Sequence, residues 1–225
     1  MRNFISEDDI EQAILQKLEG DPFQYGILRC DPSPDKRELL PDGTGRSSKK
    51  ECVLPLILRE ALARLNPDIP GEKLEEIARD LCRDFSATDM TATNYKYYNQ
   101  IRNGIKISLR RNGKEDFDFV KLVDFDRPEN NTFTAVSQMW IQGRVYWRRP
   151  DVLIFINGLP MVFVELKNSI VKVEEAYNDN LKNYLRDIPN LFALNQICVL
   201  SNGLETRLGA FNATYNHFFE WLKVN

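Results

Sequence analysis

At 225 residues, 43% hydrophobic and 28% charged, the chain has the length for one large α/β domain, or one domain with a small helical lobe, and an ordinary globular composition. Its formal net charge of −3 excludes a broadly basic nucleic-acid binder, so any DNA-binding surface must be a local basic patch on a slightly acidic body. Four dispersed cysteines (Cys30, Cys52, Cys82, Cys198) and one histidine, His217, argue against a zinc site and a disulfide framework and predict reduced, mostly buried thiols.

The N-terminal MRNFISEDDI has no apolar leader core, and no run approaches the length of a membrane span; a soluble, cytoplasmic protein with no membrane partner is expected. Ser6 and Asp9 form a capping-box pattern, opening a helix to about Leu18 with Ile10, Ile14, Leu15 and Leu18 on its buried stripe. Glu7 and Glu11 lie one turn apart on another side, where a solvated acidic face is the default. Residues 21–50 are rich in Pro, Gly, Asp and Ser and predict a loop with an edge strand at Tyr25–Arg29. Gly43–Ser47 lacks the spacing of a phosphate loop, and Lys49-Lys50 reads as solvated.

Amphipathic helices are predicted over Glu51–Leu65, Gly71–Phe85 and Thr93–Gly104, a helical layer that no linker-like composition separates from the strands beyond it. From Ile105 the period changes toward two. Ile105–Leu109, Phe117–Phe125 and Asn131–Ile141 predict strands, the first two separated by Asn112-Gly113. A helix over 173–186, a strand at Ile197–Leu200, a turn at Ser201–Gly203, a short strand at Glu205–Gly209 and a helix over Asn216–Val224 complete the chain. The expected fold is α/β: a mixed central β-sheet flanked by helices, with residues 51–104 as an additional helical layer and 105–225 as the core of a single domain.

Between these elements lies RRPDVLIFINGLPMVFVELKNS, residues 148–169. Asn157-Gly158 joins two apolar runs and is a strong tight-turn signal. Phe163, Glu165 and Lys167 share one face of the second strand, because side chains alternate. A carboxylate and an amine on a core strand are costly unless a metal, partner or substrate compensates them. Asp151 and Glu165, with the backbone carbonyl of Leu166, supply the oxygen ligands that Mg²⁺ requires. Lys167 would sit beside a water on that cation, to orient it or to stabilise phosphoryl charge. These residue types match metal-assisted phosphodiester hydrolysis. The competing reading is a surface strand ending in Glu-Leu-Lys, with Asp151 capping a turn.

Nearly the whole chain, in order, carries a resemblance. Ser6–Leu18, Leu122–Phe125, Asn130–Phe133, Arg149-Pro150-Asp151, Asn157–Pro160, Glu165-Leu166-Lys167, Ile188–Phe192 and Ser201–Gly203 resemble the N-terminal domain of the type I restriction enzyme R (HsdR) subunit, within the PD-(D/E)xK, RecB-like nucleases. The resemblance implies a restriction-endonuclease-like core in which Asp151 and Glu165 bind catalytic Mg²⁺, with Mn²⁺ an alternative, and Lys167 is the catalytic lysine. It implies a Gln-xxx-Tyr motif on the following helix; Tyr184 fits, but Asn180 holds the glutamine position, one methylene short. An acid on the first helix also contributes in RecB-like relatives, and Glu11 is the candidate here over Glu7. Arg148, Arg149 and Lys182 are candidates for phosphate contact, with solvated charge as the alternative. The implied function is cleavage of double-stranded DNA. ATP-driven translocation belongs to motor domains absent from this sequence, and recognition to methyltransferase (M) and specificity (S) subunits; weak specificity and feeble cleavage by this part alone are expected. A non-catalytic DNA-docking module of the same fold, or a free-standing DNA-repair nuclease, are the alternatives.

Overall fold

Helix α1 (Glu7–Glu19) starts where the capping box is expected: the Asp9 N–H donates to Ser6 Oγ at 3.1 Å, and the Ser6 N–H to the Asp9 carboxylate at 3.0 Å. In this computed structural model, which describes residues 4–111 and 114–221, the α1 stripe of Ile10, Ile14, Leu15 and Leu18 packs on Ala135, Val152, Val164 and Leu166. Next along the chain come strand β1 (Gly26–Arg29) and helices α2 (Pro55–Leu65), α3 (Gly71–Cys82) and α4 (Met90–Asn103). The first helix of the layer begins four residues later than expected, because Pro55 suits a first helical turn and Leu54 instead donates its N–H to the Gly158 carbonyl at 2.9 Å.

Strands β2 (Ile105–Arg111) and β3 (Lys114–Val120) pair antiparallel as a separate hairpin; the expected Asn112-Gly113 turn lies outside the described residues. The central sheet adds β4 (Phe133–Ser137), β7 (Val152–Ile156), β8 (Leu159–Leu166), β9 (Ile197–Ser201), β10 (Thr206–Gly209) and β11 (Phe219–Glu220) to β1, in the order β1-β4-β7-β8-β9-β10-β11. Two short strands, β5 (Ile141–Gln142) and β6 (Trp147–Arg148), pair with each other. The β1–β4 and β8–β9 pairs are parallel and the rest antiparallel, so the sheet is mixed as expected. On the face opposite α1, a helical run of α5 (Val173–Glu175), a π-turn (Ala176–Leu181) and α6 (Lys182–Asp187) covers Leu153, Phe155 and Phe163. Helices cover both faces, which is why β7 and β8 read as nearly continuous apolar runs.

The β7–β8 turn has Asn157 at φ +52° and Gly158 at φ +81°, the double left-handed geometry that Asn-Gly suits. A Cβ on Gly158 would meet Leu54 O at 2.6 Å and Leu58 N at 2.8 Å, so the turn seats directly on the start of α2. The helical layer, packed around Leu58, Leu62, Ile77, Leu81, Phe85, Tyr97 and Ile101, therefore lies at the turn end of the hairpin. The Asp151–Glu165 end of the two strands lies away from that layer.

Further expectations are corrected. The strand expected over Phe117–Phe125 ends at Val120, and residues 121–125 carry no strand. Asn131–Ile141 is not one strand: it breaks at Gln138, which sits at φ +58°. Asn216–Val224 is not a helix over the described residues; Tyr215–His217 is a short 3₁₀ turn and β11 follows, with the Trp221 N–H donating to Thr206 O at 2.7 Å. The open edge of β10 and the space above Gly209, where a Cβ would meet the Phe218 ring at 2.6 Å, favour strand pairing over helix. Lys49 is not solvated: it is buried, with its ammonium 2.7 Å from Asp42, whose carboxylate also pairs with buried Arg46 at 2.7 Å. The cysteines are free; burial pushes the Cys30 thiol up to about 11 and Cys52 to about 12. Among the described residues no helix is long and apolar enough to cross a membrane.

Candidate active site

The β7–β8 register brings the two acids together. Val152 pairs with Val164, so continuing one step sets Asp151 opposite Glu165, where antiparallel neighbours project to the same face with Cβ atoms about 5 Å apart. That face looks toward the π-turn and α6. The Leu166 N–H donates to Asp151 Oδ2 at 2.7 Å, fixing the carboxylate at the strand end. Glu165 is 2% exposed. Its Oε1 accepts from Asn180 Nδ2 and lies 3.4 Å from the Tyr184 hydroxyl, while Oε2 is buried with no partner.

Burial is the largest influence on both acids. It raises the pKa of Asp151, with the Leu166 N–H acting against it. It raises Glu165 well above the ordinary carboxylate value, the charge of Asp151 adding to the shift and Lys167 opposing it. Like charges at this spacing cannot ionise cheaply without a cation. The same burial, with Glu165 close by, lifts the Tyr184 hydroxyl well above its usual value, so it stays a neutral donor. That hydroxyl is also 3.1 Å from Arg149 O, and its ring meets Phe163 edge-on at 5.4 Å.

Lys167 reaches the same place. Its ammonium donates to Leu166 O at 3.2 Å and lies 3.9 Å from carboxylate oxygens of both Glu165 and Glu7. The acidic side of α1, solvated by default in the sequence, instead faces the site: Glu7 stands by Lys167, and Glu11 is buried with its Oε2 accepting from Gln138 Nε2. Burial raises the Glu11 pKa, the Gln138 bond opposing it.

The remaining candidates separate. Asn180 lies in the π-turn, and although one methylene shorter than glutamine it reaches Glu165. A π-turn widens the helix locally and recurs at functional sites. Arg148 pairs with buried Asp187, whose carboxyl is held below its usual value chiefly by Arg186, with Arg148 also contributing. Arg149 donates to Pro32 O at 3.0 Å, stacks over Trp140 at 5.2 Å, and lines a cavity of about 390 Å³ together with Glu7, Glu11, Gln138 and Asp151. Lys182 is exposed, donates to Asn178 at 2.7 Å and lies over the Tyr177 ring. Gln138 was missed by sequence reasoning. It falls inside a run read as one strand, and no local signal marked the left-handed residue that turns it toward the acids.

Among the described residues no three His, Cys, Asp or Glu side chains converge as a preformed metal cluster. The oxygen donors nevertheless suit a hard divalent cation: two facing carboxylates, the Leu166 carbonyl, and two buried acceptors without partners, Glu165 Oε2 and Gln138 Oε1.

Known proteins of similar sequence share one description. The family model described as the type I restriction enzyme R protein N terminus matches residues 4–217. Over 225 aligned residues the chain is 32% identical to the type I restriction enzyme HindI endonuclease subunit of Haemophilus influenzae, covering 98% of this chain and 21% of that protein. It is 31% identical to a putative type I restriction enzyme MjaIXP endonuclease subunit of Methanocaldococcus jannaschii, over 94% of this chain and 20% of that one. A Staphylococcus aureus type I restriction enzyme endonuclease subunit matches at 33% over 119 residues, 52% of this chain and 13% of that protein. The chain thus spans about one fifth of the length of the first two relatives.

Proposed function

This chain belongs to the type I restriction enzyme R protein N-terminal family, and from that premise we propose that it is the part of an R subunit that cuts double-stranded DNA by divalent-metal-dependent phosphodiester hydrolysis. The observation that carries the reading is the register-opposed pair Asp151 and Glu165, closed in by Lys167 and leaving a buried carboxylate oxygen unpaired.

Asp151 and Glu165 would hold Mg²⁺, or Mn²⁺ in its place, with the Leu166 carbonyl available once Lys167 moves off it. Such a cation supplies Lewis-acid charge at a phosphoryl oxygen and acidifies a bound water. The chain's own groups do the rest. Asn180 and Tyr184 orient Glu165 through Oε1, and the Leu166 N–H orients Asp151. Lys167, tethered among three oxygens, presents a positive charge where an attacking water or the charge growing on the phosphate would lie. Glu11 would serve as a further acid beside Asp151. Arg149, which lines the same cavity as Asp151, would contact phosphate there, and exposed Lys182 is a further candidate for the same role, whereas Arg148 is held by Asp187 and would need release to act there. Sequence recognition by M and S subunits, ATP-driven translocation by downstream motor domains, and work in the cytoplasm are parts of the same proposal.

The test is nicking of supercoiled plasmid with Mg²⁺ or Mn²⁺ by the wild type, Asp151→Ala and Lys167→Ala. Metal-dependent nicking lost in both variants is expected. DNA binding without any cleavage, persisting when the chain is joined to the motor region of a relative, would sink the catalytic reading and leave a docking module.

A further inference from the structure

We propose that Gln138 is a positioning residue of this site, bridging Glu11 on α1 to Asp151 at the start of β7 so that the two carboxylates face one cation; the inference rests on the nuclease reading above. Gln138 follows β4, and its own N–H donates to the Asp151 carbonyl at 3.0 Å, one step beyond the Ser137–Val152 pair. There the backbone turns left-handed, at φ +58°. For a residue with a side chain that conformation costs about 1 kcal/mol or more and persists only where the surroundings demand it. What it achieves is visible. The strand alternation is broken, and the side-chain amide comes to lie between two acids that belong to different elements.

Its Nε2 donates to Glu11 Oε2 and lies 3.5 Å from Asp151 Oδ1. With the Leu166 N–H at 2.7 Å on Oδ2, both oxygens of Asp151 have an N–H beside them. Facing two carboxylates, the amide must present its NH₂ and not its oxygen, which would repel them. The oxygen is left over: Gln138 Oε1 is buried with no hydrogen-bond partner. An acceptor left unpaired next to two acids is an expense the fold does not otherwise need, and it suits a site that receives a cation or its water. Gln138 therefore ties the helix that caps the cleft to the strand that carries the first acid.

The experiment measures Mn²⁺ affinity of the chain by calorimetry, alongside its melting temperature, for the wild type, Gln138→Gly, Gln138→Ala and Asp151→Ala. Glycine removes the side chain and relieves the left-handed backbone, whereas alanine removes the side chain and keeps the strain. The expected result is Mn²⁺ affinity 10- to 100-fold weaker in both Gln138 variants, the range typical of lost outer-shell partners, with Gln138→Gly melting no lower than wild type. A merely structural glutamine would lower the melting temperature and leave affinity alone. Affinity of Gln138→Gly within twofold of wild type, while Asp151→Ala loses binding, overturns the positioning role and leaves the nuclease reading standing. Wild type and Asp151→Ala binding Mn²⁺ equally weakly overturns both.

Discussion

Replacing Glu165 with glutamine is expected to stabilise the cation-free chain at neutral pH while abolishing cleavage. If the two carboxylates keep the spacing of about 5 Å that Cβ atoms directly opposite across strands have, then at an effective dielectric of about 20 the repulsion from Asp151 is about 3 kcal/mol. The Lys167 ammonium at 3.9 Å offsets about 4 kcal/mol on the same scale, so the two charges nearly cancel. What remains is burial of a carboxylate oxygen with no donor, Oε2, costing about 1–3 kcal/mol. Glutamine keeps Oε1 as the acceptor for Asn180 and Tyr184 and removes that charge. For a domain of this size each kcal/mol moves the melting temperature by about 2–4 °C. The sign with pH comes from the raised pKa of Glu165. A carboxyl that titrates higher in the fold than in the open chain favours folding fully below the open-chain value of about 4.3, and that contribution is lost as pH rises through the folded value. The gap between variant and wild type should therefore open on going from about pH 4 to pH 7.5, and saturating Mn²⁺ should close or reverse it by stabilising only the wild type. Calorimetric melts in chelator at both pH values decide the matter. A variant that melts no higher than wild type at pH 7.5, or by the same margin at both pH values, would refute the burial argument.

Lys167→Ala should lower cleavage by about 10²–10³-fold, as loss of one group aimed at transition-state charge does. Mn²⁺ affinity, measured in the same preparation, should change far less. Asn180→Ala takes the short amide from Glu165 and should weaken Mn²⁺ binding about 10- to 100-fold by calorimetry; unchanged affinity would mean that the π-turn contact is packing alone. Asp187→Asn should cost about 1–3 kcal/mol in urea titrations at pH 7, because Asp187 is buried between Arg186 and Arg148. Its pKa is lowered, so its contribution is present above the ordinary carboxylate value and fades as pH falls through the lower folded value; the variant and wild type should converge in acid. Gly158→Ala should destabilise by more than about 2 kcal/mol, combining the left-handed φ with a Cβ driven into Leu54 O and Leu58 N; a melting temperature within a degree of wild type would contradict the close seating on α2.

Local chemistry made much of this molecule readable. The capping box at Ser6 and Asp9, the Asn157-Gly158 turn and the apolar runs on either side of it are short-range signals, and each forms as expected because its cause lies within a few residues. The facing of Asp151 and Glu165 was legible too, since a tight hairpin sets register and register sets which side chains are opposite. The Phe163, Glu165, Lys167 alternation likewise comes from the strand period. Motif order along the chain supplied the family.

Other features depend on contacts between residues far apart, and only the tertiary structure decided them. Glu7 and Glu11 form an acidic stripe that is ordinary solvated surface until α1 is laid across the strand ends, 127 positions separating Glu11 from the Gln138 that meets it. Lys49 looked like surface charge until the loop carrying Asp42 and Arg46 folded over it. The last segment has helical spacing, yet an open sheet edge at β10 captured it as β11, because strand pairing satisfies backbone groups that a short helix there would leave exposed. Gln138 is the clearest case. By itself the sequence determined the two strands, their turn and the acids they bring face to face; the left-handed break that swings an amide between those acids exists only because α1, β4 and β7 converge there, and no local pattern encodes a convergence.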